Sequence, residues 1–149
     1  MTGGSYSVTI EAPPEEVWNW VADLGTHSQW AAKDYSMEWT SGEPNAVGSK
    51  YHSVGWVPGD KNHPNDGVIT ENEPYERFAL QADDKEGLFT SSYDLKPVEG
   101  GTEVTFTIAF PTDMKGMSAM LAPIAFPLAG KPEIRKRMQK LKETVEASA

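Results

Sequence analysis

The chain has 149 residues, no cysteine and a formal net charge of −9. That length suits a single domain over residues 1–149, and the absence of Cys excludes disulfides, thiolate metal sites and a Cys nucleophile. Hydrophobic residues at 38% and charged residues at 23% describe a globular chain, and its acidity argues against a phosphate backbone, so no nucleic-acid partner is expected.

Residues 5–11 alternate, with Tyr6, Val8 and Ile10 on one face, which predicts a half-buried strand. Ala12-Pro13-Pro14 ends it and starts a helix, because Pro is tolerated in a first turn and Glu15 and Glu16 suit the dipole there. Val17, Trp20, Val21 and Leu24 then form an apolar stripe. Gly25 stops that helix. Thr26 to Trp30 predicts a second, very short helix, with Thr26 as N-cap and Gln29 three residues on.

From residue 34 the period becomes two, with Tyr35, Met37 and Trp39 alternating with polar residues. Gly42 to Gly48 predicts a turn, 49–57 a strand, and Pro58 to Asp66 a polar loop. Strands follow at 67–73 and 76–82 around Glu73-Pro74-Tyr75. Two more, at 88–96 and 102–110, are joined by Val98-Glu99-Gly100-Gly101, a hairpin signal because such turns need positive φ. The serial order and short turns predict an antiparallel sheet. Strand 49–57 leaves its inward face open: Tyr51 and Ser53 share one side, His52, Val54 and Trp56 the other. Tyr51 inward is favoured, and a one-residue bulge would reconcile the two.

A regular helix is expected from about Glu133, with Ile134, Met138, Leu141 and Val145 as its apolar stripe. Lys131, Arg135, Lys136, Arg137, Lys140 and Lys142 read as a solvated face near the helix C-terminus. The preceding stretch, 114–130, is apolar all round and interrupted by Pro123 and Pro127, which would kink or open a helix. It suits one wall and the entrance of a cavity, with packed core as the plainer reading. No apolar run reaches the ~20 residues of a membrane span. The N-terminus lacks the basic and apolar regions of a signal peptide. The expectation is a cytoplasmic protein without stable membrane association.

Several ordered segments carry a family likeness. They are Val8-Thr-Ile-Glu-Ala-Pro-Pro-Glu-Glu-Val-Trp18, Ala22-Asp23-Leu24 followed by Trp30, and Ala46-Val-Gly-Ser-Lys-Tyr51 with Ala46 in place of a usual Gly. Further on stand Glu73-Pro74 with Arg77-Phe78-Ala79-Leu80, Gly100-Gly101-Thr-Glu-Val-Thr105, and Met138 to Glu146. Together the chain resembles the START-like (SRPBCC) superfamily, in its polyketide cyclase/dehydrase and lipid-transport-like branch. The resemblance implies an α+β helix-grip fold. A curved seven-stranded antiparallel sheet (β-α-α-β6-α) would wrap a long C-terminal helix around an internal, largely apolar cavity. Members bind lipids, hormones or polyketides, catalyse ring closure, or bind proteins.

Strand parity supplies the candidate cavity residues. Phe89, Ser91, Tyr93 and Leu95 share a face, as do Val104, Phe106, Ile108 and Phe110, and Phe78, Leu80 and Ala82. The ligand-binding set is Trp30, Tyr51, Phe78, Phe89, Ser91, Tyr93, Phe106 and Phe110, with Met117, Met120, Leu121 and Ile124 from the Pro-interrupted stretch. Adaptable Met suits a surface that re-packs around varied apolar shapes. His27 beside Trp30 could stand at the cavity mouth. A proton donor or acceptor could be Tyr93, Tyr51, Tyr35 or His52, but no spacing singles one out, so no catalytic residue is assigned.

No nucleophile motif, phosphate loop or dinucleotide fingerprint is present, and no His pair has metal spacing. Asp60, His63 and Asp66 are explained as well by loop composition as by a weak cation site. No cofactor and no metal are therefore expected. The expected partner is a hydrophobic small molecule, polyketide, aromatic or lipid-like, with cyclase or dehydratase activity open; a homodimer is also left open. The rival readings are a protein-interaction module of the co-chaperone-like kind and a non-catalytic lipid carrier.

Overall fold

A computed structural model describes residues 2–31, 35–57, 60–84, 87–110 and 131–148. Strand β1 (Thr2–Ile10) starts earlier than its alternation suggests, and Val8 and Ile10 are buried. Pro13, with extended backbone, precedes helix α1 (Pro14–Val21), which carries Glu15 and Glu16 in its first turn. Its buried face holds Val17, Trp18 and Val21, while Trp20 is only half-buried. The expected stripe is thus rotated by part of a turn, because Trp18 is drawn edge-on against Phe78, with ring centroids 6.4 Å apart.

A 3-10 turn follows at Leu24–Gln29. Its cap is Asp23, whose side chain accepts from the Gly25 N–H at 3.0 Å, and not Thr26. Asp caps as well as Thr and stands directly before this turn. The Thr26 hydroxyl instead points back to the Trp20 and Asp23 carbonyls at 2.7 and 2.8 Å.

Six strands follow: β2 (Ser36–Ser41), β3 (Lys50–Val57), β4 (Asp60–Glu73), β5 (Arg77–Asp84), β6 (Gly87–Val98) and β7 (Gly101–Phe110). With β1 they form one antiparallel sheet in the order β1-β7-β6-β5-β4-β3-β2. Gly100, at φ 86, makes the β6–β7 hairpin that the Gly pair predicts.

One expectation fails here. Most of the polar loop predicted at Pro58 to Asp66 is strand, since β4 begins at Asp60. Backbone pairing overrides propensity: Val57 pairs Asp60, Val54 pairs Pro64 and His52 pairs Asp66. Among the described pairs, residues 60–65 of β4 bond to β3 alone, so Pro64 stands on what is locally an edge, where Pro is tolerated. The register slips between Gly55 and Val57, where β3 advances two residues and β4 three, from His63 to Asp60, so the extra residue lies in β4 and not in β3, where the bulge is expected from the sequence.

Helix α2 (Lys131–Ser148) closes the fold against the sheet. Ile134, Met138, Leu141 and Val145 are all buried, as their spacing requires. Polar contacts fasten its rim to the start of the chain. Lys142 donates to the Thr9 carbonyl at 2.8 Å, and the Glu11 N–H donates to Glu146 at 2.8 Å. The result is a helix-grip fold, a curved seven-stranded sheet holding a long terminal helix.

Candidate functional site

The inner sheet face and Arg137 of α2 line a partly open pocket of about 90 Å³ between β3, β4, β5, β6 and the 3-10 turn. Its described walls include Leu24, Leu80, Ala82 and Phe89 on the apolar side. The polar side is larger than the sequence suggests: His27, Tyr35, Tyr51, Ser53, Asn65, Ser91, Tyr93 and Arg137. The stretch 114–130, expected to supply an apolar wall, lies outside the described residues, so these are the described walls only. Parity decides the lining, and on β3 and β6 the inward positions carry Tyr and Ser.

Tyr51 and Ser53 face inward, each 4% exposed. Tyr51 pairs with Gly67 across β3 and β4, and its ring lies over the bare glycine, where a Cβ would overlap ring carbon and hydroxyl. Trp39 abuts the same ring edge-on at 5.9 Å. Tyr93 is 2% exposed and sits among His27, Trp30 and Phe106, with ring centroids 5.8, 5.8 and 4.8 Å away. Burial raises the pKa of Tyr93, opposed by Arg137. Burial and then the nearby tyrosines also raise Tyr51, and burial followed by Tyr93 pushes Tyr35 up to about 12. All three phenols are therefore protonated at neutral pH and can donate.

His27 is fully inside, 4% exposed, rather than at a cavity mouth. Its Nε2–H donates to the Val21 carbonyl at 2.9 Å, since a carbonyl can only accept. In the neutral ring that leaves Nδ1 as an acceptor. Burial, opposed by the Val21 bond and aided by Arg137, pushes its pKa down to about 4.

Arg137 departs from the expected solvated face. It is half-buried, its Nε–H donates to the Ala31 carbonyl at 2.8 Å, and Nη1 is 3.4 Å from the Tyr93 hydroxyl. Its guanidinium stacks over Phe106 at 4.9 Å. Sequence could have indicated this: Arg137 is three residues after Ile134 and four before Leu141, on the margin of the apolar stripe. Asn65 went unnoticed because it lay in the presumed loop; its side-chain oxygen is buried without a partner among the described residues.

Of the sequence-derived candidates, Tyr51, Phe89, Ser91 and Tyr93 line the pocket. Trp30, Phe78 and Phe106 are buried around it, and Trp30 Nε1 has no hydrogen-bond partner. Phe110 pairs with Phe89 at 6.0 Å further along the sheet. Met117, Met120, Leu121 and Ile124, with the gate expected at 114–130, lie outside the described residues. His52 is on the outer face, 2.9 Å from Asp66, so it does not reach the pocket. His63 is buried while Asp66 is exposed on the opposite face, so the loop cation set is not assembled. A wider depression of about 360 Å³ lies on the outer face among Lys50, Asp66, Gln81 and Asp83, and among the described residues none of its walls carries a buried polar atom left without a partner. Among the described residues, no helix is long and apolar enough to cross a membrane.

The sequence matches the family described as "Polyketide cyclase / dehydrase and lipid transport" over residues 1–146. Comparison with curated proteins gave no match. Among solved structures, a protein from Rhodobacter sphaeroides is 23% identical, with a TM-score of 0.71 over 99% of this chain and 94% of that one. A Chromobacterium violaceum protein is 16% identical, with a TM-score of 0.67 over 98% and 99%. DynU16, a protein of the dynemicin biosynthetic locus, is 18% identical, with a TM-score of 0.67 over 99% of this chain and 48% of its own.

Proposed function

The chain belongs to the polyketide cyclase/dehydrase and lipid transport family, and from that premise we propose that it binds a small hydrophobic molecule in the pocket under α2. Family membership suggests a hydrophobic ligand. The observation that carries the site is the convergence of two buried tyrosines, Tyr51 and Tyr93, the half-buried Tyr35 and Phe89 on one recess, all three phenols protonated. Tyrosine offers an apolar ring and a polar tip together. Such walls suit an aromatic or polyketide-like body bearing oxygen atoms. Tyr51, Phe89, Ser91 and Tyr93 contact the ligand in this reading, while Trp30, Phe78, Phe106 and Phe110 support them.

Binding is favoured over proton transfer. A general acid or base works best with a pKa near the operating pH. His27 near 4 and Tyr35 near 12 stand far from neutrality, so they suit fixed hydrogen bonding. A cyclase or dehydratase step remains the second reading, supported by a neutral His27 acceptor and the Tyr93 donor in one recess, their rings edge to face with centroids 5.8 Å apart.

Native mass spectrometry of the protein as expressed, with ANS binding and its displacement by 2-naphthol or myristate, tests the proposal. A co-purified apolar ligand or competitive displacement is expected. Folded protein that carries no ligand and binds none of these probes would overturn it.

A further inference from the structure

We infer that the pocket is built for an oxygen anion, such as a carboxylate or enolate, on an otherwise apolar ligand, with Arg137 as its anchor. This rests on the ligand-binding reading above and specifies the charge of the ligand. Arg137 is the one charged side chain among the described pocket walls, since His27 there is neutral. Among the described residues it has no carboxylate partner. Arg77, in contrast, is held by both Asp94 and Glu71 at 2.8 Å. Arg137 is half-buried, so water shares its charge in the free protein; a ligand that covers it removes that water, and an anion on the ligand would offset the loss.

The geometry leaves Arg137 able to serve. Its Nε–H is occupied by the Ala31 carbonyl, and Phe106 supports the guanidinium plane, which fixes its direction. Its contact with the Tyr93 hydroxyl, at 3.4 Å, is long. The remaining N–H groups can take a planar, two-oxygen acceptor bidentately. Around it stand donors for the same charge, the hydroxyls of Tyr93, Tyr51 and Ser91, and none of the described pocket walls is a carboxylate. A neutral ligand could satisfy the tyrosines but would leave the guanidinium uncompensated.

The test compares benzoate with benzyl alcohol, which share a ring and differ in charge, by titrating backbone amide NMR signals of the full chain at pH 7. Benzoate should bind at least about tenfold tighter, the worth of one charge-assisted hydrogen bond. Arg137→Gln should erase that preference, so that the ratio of the two affinities falls to about one. If that variant does not fold, Arg137→Lys should keep only part of the preference, because a point charge replaces the fork. Equal affinity for the two probes, or a benzoate preference that survives loss of Arg137, overturns the anion assignment and leaves the ligand-binding reading standing. Binding of neither probe anywhere in the pocket removes both.

Discussion

Replacing Gly67 with Ala probes the pocket wall from behind. The new Cβ would overlap Cζ, Cε1 and the hydroxyl of Tyr51, so the ring must turn. Tyr51 is 4% exposed and flanked by Trp39 at 5.9 Å, so little room exists for it to do so. Over-packing of this kind costs about 1–3 kcal/mol, and the blocked ring puts the cost in the upper half. Against that, Ala in a strand recovers roughly 0.5–1 kcal/mol of backbone entropy relative to Gly. The net loss should be about 1–2 kcal/mol, or roughly 2–8 °C in Tm for a chain of this size. In a Tyr51→Val background the overlap disappears, and Gly67→Ala should become neutral or stabilising. The assay is thermal and urea denaturation of the four proteins of this cycle, followed by circular dichroism. A Gly67→Ala cost that is the same in both backgrounds would refute the placement of the Tyr51 ring over Gly67. The displaced ring should also weaken ligand binding, since it moves within the recess.

Three other outcomes follow from the same geometry. His27 falls from 6.5 to about 4 on folding, so its contribution to stability is complete above pH 6.5 and declines as pH drops toward 4, by about 3 kcal/mol at that point; its ring NMR signals should hold their neutral positions from pH 8 to 5, and a midpoint near 6.5 would contradict its burial. Val21 is fully buried, so Val21→Asp should cost several kcal/mol, and a variant melting where the parent does would disprove the packing of α1. With the other four Trp replaced by Phe, Trp30, in contact with His27 and Tyr93 at 4.4 and 5.8 Å, should change its emission when ligand fills the pocket; an unchanged spectrum at saturation would place the ligand elsewhere.

Much of the fold was legible because two periods dominate the chain. Alternation marked β1, β6 and β7, and the apolar spacing of Ile134, Met138, Leu141 and Val145 marked α2. The β4 extension was hidden because Asp60 to Asp66 has no strand propensity of its own; its conformation comes from pairing with β3, a long-range effect. The site was legible by half for a related reason. Parity reports which residues point inward, so Tyr51, Phe89, Ser91 and Tyr93 emerged. It does not report that an Arg on the margin of a helix stripe folds its long stem inward over Phe106. Nor does it separate an exposed loop His from His27, whose burial depends on the Val21 carbonyl six residues back.

The pocket also divides into a fixed end and an adjustable one. Tyr51 is pinned between Gly67 and Trp39, Tyr93 among three rings, and Arg137 by a carbonyl and an aromatic face. Phe89 and Phe110, 6.0 Å apart, are only half-buried. About 90 Å³ is the share of roughly three liquid waters, below the few hundred Å³ usual for drug-sized ligands. Hydrogen bonds and a guanidinium fork require fixed directions, whereas apolar contact tolerates a rotamer change at small cost. On the proposed reading, recognition belongs to the pinned polar end and accommodation to the half-buried aromatic end. Ligands that share an oxygen-bearing head and differ in apolar body would be served by one unaltered set of polar groups.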